Sequence, residues 1–186
     1  MTEKPVAEVL VEGELSPFED EALYRLLKKG FQVSPPSYSE ISYDEDLTTR
    51  VNIVFHHPYT PEFFTQHLRE DWRSLKDLIK QVRQRRGGAG AAFTLTFVSD
   101  DFRLVFRSGQ VDHEEIVSAM DQIGHLTGII GRIIQADTLP ERLGSVECRF
   151  DKSSDRWQDF RGTSLENQDR AYRFDEAFSR WDPVKS

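Results

Sequence analysis

The side chains best placed to do chemistry are three arginines and a histidine in the middle of the chain: Arg103, Arg107, Arg149 and His56. They fall in segments whose residues alternate one by one between apolar and polar: Arg50–His56, Ala92–Val98, Phe102–Arg107 and Val146–Phe150. Successive side chains of a β-strand point to opposite faces, so this period predicts four strands, each with a buried side and a wetter side. Phe, Leu, Ile and Val take the buried side. Asn52, His56, Thr94, Thr96, Arg103, Arg107, Glu147 and Arg149 then share the other. Guanidinium forks beside hydroxyls can grip a carboxylate or phosphate through paired hydrogen bonds. The same residues can instead pair with one another across strands in water, for about a few tenths of a kcal/mol each.

Other reactive residue types lack the spacing their chemistry needs. His56 and His57 follow a strand, and His67, His113 and His125 are scattered. His113 and His125 would lie roughly 18 Å apart along one helix, so no metal site is expected. Gly87-Gly-Ala-Gly90 runs from a helix into a strand, the reverse of a phosphate-binding loop. Cys148 falls on an inward strand position without a base beside it, and no serine stands in a G-x-S-x-G context. Asp44-Glu-Asp46 and Asp100-Asp101 are acidic turns. No catalytic residue and no cofactor is expected, and the reading leans away from an enzyme.

Two long helical patterns must carry these strands. The first spans Pro61–Arg86, with Phe64, Leu68, Trp72, Leu75, Ile79 and Val82 on one stripe, Thr60 as N-cap and Gly87-Gly88 at the exit. The second spans His113–Ala136, with Ile116, Met120, Ile123, Thr127, Ile130 and Ile134; Asp112 is its N-cap and Glu115 closes a capping box. Strand, helix and strand, twice over, with a tight turn at Ser99-Asp-Asp101, predict an α+β fold. The expected form is a ferredoxin-like βαββαβ two-layer sandwich: a mainly antiparallel sheet with both helices on one side. A rival frame takes residues 6–98 as the four-stranded unit and lets residues 102–150 extend its sheet. That architecture serves many functions and names none.

Residues 1–47 form an N-terminal strand-helix-strand extension to the core at 48–151. A strand is predicted over Val6–Val11. Ser16, Pro17 and Glu19 start a helix that runs to Lys29 and ends on Gly30 as C-cap glycine. Tyr38–Tyr43 is expected to pair with the strand near Thr48 across Asp44–Asp46. Residues 152–186 read as a polar loop followed by a last helix over Asn167–Trp181. There Ala171, Phe174, Phe178 and Trp181 fall at helical spacing with Tyr172 beside them. Tyr172, Phe174, Phe178 and Trp181 either complete the core of their own domain or enter a groove on another chain.

Net charge is −8 over 186 residues, and residues 1–47 hold eleven acids against four bases. That start, and central strands whose aromatics point inward, argue against nucleic acid as a partner. One cysteine permits no internal disulfide and suits a reducing compartment. The N-terminus has no secretory pattern and no apolar run approaches the roughly 20 residues of a membrane span, so a cytoplasmic protein without a membrane partner is expected. The predicted function is a non-enzymatic interaction or assembly protein. It forms a homodimer or holds a protein partner through the sheet face, the acidic N-terminal region or the aromatic helix. The alternative is a binder of a small anionic ligand, or an enzyme, using the arginine and histidine face.

Overall fold

The described residues form fifteen elements of secondary structure. In the computed structural model, which describes residues 3–41, 47–85, 90–135 and 137–185, the strands are β1 (Val6–Gly13), β2 (Gln32–Val33), β3 (Ser37–Ser39), β4 (Leu47–Phe55), β5 (Gly90–Ser99), β6 (Phe102–Arg107), β7 (Leu143–Asp151), β8 (Arg156–Ser164), β9 (Ala171–Asp175) and β10 (Arg180–Pro183). The helices are α1 (Pro17–Gly30), α2 (Asp71–Arg85), α3 (His113–His125) and α4 (Thr127–Ile133), and a π-helical turn over Phe63–Leu68 precedes α2. The acidic turn at Asp44–Asp46 and the glycines Gly87 and Gly88 lie outside the described residues.

All ten strands join one mixed sheet, ordered β10-β9-β8-β7-β6-β5-β4-β1-β2, with β3 also on β1. This corrects the ferredoxin-like expectation. In that arrangement an antiparallel strand separates the two parallel strands joined by a helix. Here β4 pairs directly with β5, and β6 with β7, both in parallel. The reason lies in the N-terminal residues: β1 runs antiparallel along β4 from Ala7↔Phe55 to Gly13↔Thr49, so the edge that β7 would have needed is occupied. The β5–β6 hairpin at Ser99-Asp-Asp101 forms as expected, with Asp100 at φ 42°.

One face of the sheet carries the apolar residues and the helices. The row Val9–Ile53–Leu95–Phe106–Cys148 crosses five strands, and each member is buried. Leu23, Leu26 and Leu27 of α1, Leu75 and Ile79 of α2, and Ile116, Met120 and Ile123 of α3 close over it. Aromatic rings fill the centre, Phe97 meeting Phe63 at 4.9 Å, Tyr59 at 5.0 Å and Phe55 at 5.4 Å. Tyr59 donates its hydroxyl to Ile123 O, and Lys76 pairs with Asp121, tying α2 and its approach to α3.

Capping at Ser16 and Asp112 follows the sequence, each with the reciprocal Glu three residues on. Gly30 has a different role from the one expected. It is the last residue of α1 rather than a left-handed cap, and a Cβ there would stand 2.2 Å from the carbonyl oxygen of His67. Close approach, not backbone freedom, requires glycine. β3 also departs from expectation, pairing in parallel with β1 instead of with β4.

The C-terminal helix is replaced by strands. Residues 156–164 form β8, and Asn167–Trp181 becomes the β9–β10 hairpin, with Asp175 capping its turn through Ala177 N–H and Phe178 N–H and Ser179 at φ 49°. β8 offers an unpaired edge, and Ala-Tyr-Arg-Phe-Asp alternates as a strand as well as it fits a helix. Aromatic residues favour the pleated surface once that edge exists.

Candidate functional site: the open face of the sheet

The side of the sheet away from the helices is a mosaic of small and charged residues in three clear rows. The first is Leu10–Asn52–Thr94–Arg107–Arg149–Gln158. Next comes Glu8–Val54–Thr96–Val105–Glu147–Arg161–Arg173–Asp182. Val98–Arg103–Ser145–Thr163–Ala171 is the third, with His56 at its β4 end. Asn52, His56, Thr94, Thr96, Arg103, Arg107, Glu147 and Arg149 therefore share one face.

They do not converge on one point. Arg107 and Arg149 are register neighbours, but Arg103 lies four residues along β6, roughly 13 Å away at the rise of a strand. Several already have partners. Asn52 Nδ2 donates to Glu12 Oε2 at 2.9 Å, His56 Nε2 meets Glu8 Oε1 at 3.0 Å, and Arg149 Nε donates to Glu147 Oε1 at 3.2 Å. Thr94 and Thr96 are buried, Thr94 accepting from Arg50 Nη1 at 3.1 Å. A single anion held by all three arginines does not fit this spacing.

Sequence reasoning missed Arg50. It sits in register with Glu12 and Ala92 on the open side, yet it is 1% exposed. Its Nη1 donates to Ser108 O at 2.8 Å and Thr94 Oγ1 at 3.1 Å, and Nε lies 3.7 Å from Glu12 Oε2. Ser108 Oγ in turn accepts from Phe93 N–H at 2.8 Å. The buried guanidinium stitches β1, β4, β5 and the end of β6 together. A signal existed: Arg50 opens a strand whose alternation places it beside Asn52.

A second omission is Asp159. β7 advances two residues from Glu147 to Arg149 while β8 advances three from Gln158 to Arg161, a bulge with Asp159 at φ 57°. Its carboxylate sits between two guanidiniums, 3.0 Å from Arg161 Nε and 3.0 Å from Arg173 Nε. The basic side of the face, from β6 to β9, is thus partly neutralised at its outer end. The acidic side is β1, with Glu8 and Glu12.

The C-terminal aromatics take a different place from the one expected. Phe174 and Trp181 are register partners with rings 5.4 Å apart, and Trp181 is buried with Nε1 donating to Ile133 O at 3.1 Å. Tyr172 donates to Glu141, which also accepts from Ser164 Oγ; these hydrogen bonds, Tyr172's first, hold the Glu141 carboxyl below its ordinary range. Phe178 alone stays out, 71% exposed at the hairpin turn with Arg180 over its ring. The helical stripe of anchors does not exist.

Cys148 is fully buried on the helix side with its thiol near Val105 O, and burial pushes its pKa up. A thiolate at that position is unavailable as a nucleophile. Among the described residues no group of three or more His, Cys, Asp and Glu could hold a metal ion, and no helix is long and apolar enough to cross a membrane. Comparison with protein-family models, curated proteins and solved structures finds no significant match to this chain.

Proposed function

We propose that the protein is a non-enzymatic assembly protein of a reducing compartment, the cytoplasm, and that it self-associates as a homodimer through the open face of its sheet. The observation that carries this reading is the face itself: an apolar and small-residue centre, Val54, Thr96, Val98 and Val105, ringed by charge. Interfaces share that anatomy, with charge depleted at the core and polar groups at the rim. Eight lanes spaced about 4.8 Å and strands about six residues deep give a surface of roughly 38 by 20 Å. That is close to the roughly 800 Å² per partner of a stable complex.

Charge argues for a second copy as the partner. Glu8 and Glu12 lie on β1, and Arg103, Arg107, Arg149, Arg161 and Arg173 lie from β6 to β9. A two-fold axis parallel to the strands, running between two such faces, sets the acidic lane of each copy over the basic lanes of the other. Sheets packed this way lie about 10 Å apart with side chains interdigitated.

Light scattering coupled to size exclusion tests the reading on the full-length chain. The wild type is expected to run as a dimer, and Val105→Lys as a folded monomer with an unchanged far-UV circular dichroism spectrum and a lower, concentration-independent Tm. A wild type that stays monomeric at every concentration sinks the proposal, as does a dimer that survives both Val105→Lys and Val54→Lys.

A further inference from the structure

On the helix side, far from the open face, a hollow of about 620 Å³ lies between α4 and the strands β8 and β9. We propose that it binds an anionic amphiphile: an alkyl chain carrying a carboxylate. This inference is independent of the proposed self-association.

The lining is apolar on both sides. Ile129, Ile130 and Ile133 form the α4 wall, and Trp157, Phe160 and Phe174 form the floor. Polar atoms of the surrounding rings are already engaged outside it, since Trp157 Nε1 donates to Ala119 O at 2.8 Å and Trp181 Nε1 to Ile133 O at 3.1 Å. Of the polar side chains that line it, Gln122 Nε2 donates to Asp155 O at 2.7 Å and Thr138 Oγ1 to Gln135 O at 2.7 Å, so the hollow selects mainly by shape and apolarity. Its volume lies within the roughly 300–1,000 Å³ of small-ligand sites. Ile129 is 52% exposed on the wall, apolar surface that an alkyl chain would cover.

The mouth supplies the charge. Arg156 is matched there by Glu176, Nη2 to Oε2 at 2.8 Å. Arg132 is not matched: its Nε donates to Gly128 O at 3.3 Å, and no carboxylate pairs with it among the described residues. An exposed guanidinium with spare donors above an apolar trough complements a carboxylate on a hydrocarbon tail, and its forked geometry suits that group. A cationic or neutral tail gains nothing from it.

Isothermal titration calorimetry with decanoate, octanoate and decylamine on the full-length protein tests the proposal. Expected are saturable one-to-one binding of decanoate and affinity rising about fourfold per methylene from octanoate. Decylamine is expected to bind at least tenfold more weakly. Ile129→Asp, at an exposed position, should weaken decanoate at least tenfold, and Arg132→Glu should remove the preference for decanoate over decylamine. No saturable binding of decanoate overturns the proposal. So does equal affinity for decanoate and decylamine, or decanoate binding untouched by both variants.

Discussion

The two faces of the sheet are built from the same strands and obey different rules. On the covered face Phe55, Phe93, Phe97 and Phe106 are essentially inaccessible, and each touches at least one further ring. Their positions are set by packing, where lost methylenes and cavities dominate the energetics. On the open face the polar residues pair locally, Arg149 with Glu147, His56 with Glu8, Asn52 with Glu12. Such exposed pairs contribute little to stability, so composition there is free to serve something else. The lesson is that function should be sought where the sheet spends polar residues without structural return, and Arg50 is the exception that shows where the division fails.

The largest effect should come from the covered face. Phe97→Ala is expected to lower unfolding stability by about 4 kcal/mol in urea denaturation. Arg149→Gln, two strands away on the open face, should change it by less than about 1 kcal/mol, because its ion pair with Glu147 stands in water. Similar losses at the two positions would erase the distinction. Arg50→Met comes next, at about 3 kcal/mol, since it leaves Ser108 O and Thr94 Oγ1 without that donor and Glu12 without its buried cation. A neutral Arg50→Met would place Arg50 with the dispensable charges of the open face and break the comparison from the other side.

Strand positions and the sorting of side chains between faces were legible because alternation is a local property of four clean segments. The lane order was not. Whether β7 can return beside β4 depends on who holds that edge of β4, and β1 claims it from about forty residues upstream. The C-terminal strands were hidden for two local reasons. The bulge at Asp159 places the inward residues Trp157 and Phe160 three apart, which destroys the two-residue period of β8. In β9 and β10, Phe174, Phe178 and Trp181 keep helical spacing, although Phe178 occupies a turn. The buried role of Arg50 needed tertiary contacts with Ser108, fifty-eight residues later, that no periodicity encodes.

The smallest effect separates two neighbouring histidines by face. His56 points to the open side and meets Glu8, while His57 turns under the sheet end, its ring 4.9 Å from His67 and 5.4 Å from Phe63. Burial first, and then the charge of His57, push the pKa of His67 below its ordinary 6.5; a hydrogen bond with the backbone of Gly30 partly opposes them. Glu62 lies near His57, and its carboxyl is held low, chiefly by hydrogen bonds at its own backbone and to Thr60. With its folded pKa depressed, His67 binds a proton more readily in the unfolded chain. Its contribution is therefore fully present above pH 6.5 and is lost as pH falls from there through the lowered folded value. Urea denaturation between pH 7.5 and pH 5 should show a shallower acid-side decline in His67→Gln than in the wild type. Identical slopes would mean that the imidazole pair under the covered face is no more sensitive to protons than an exposed side chain.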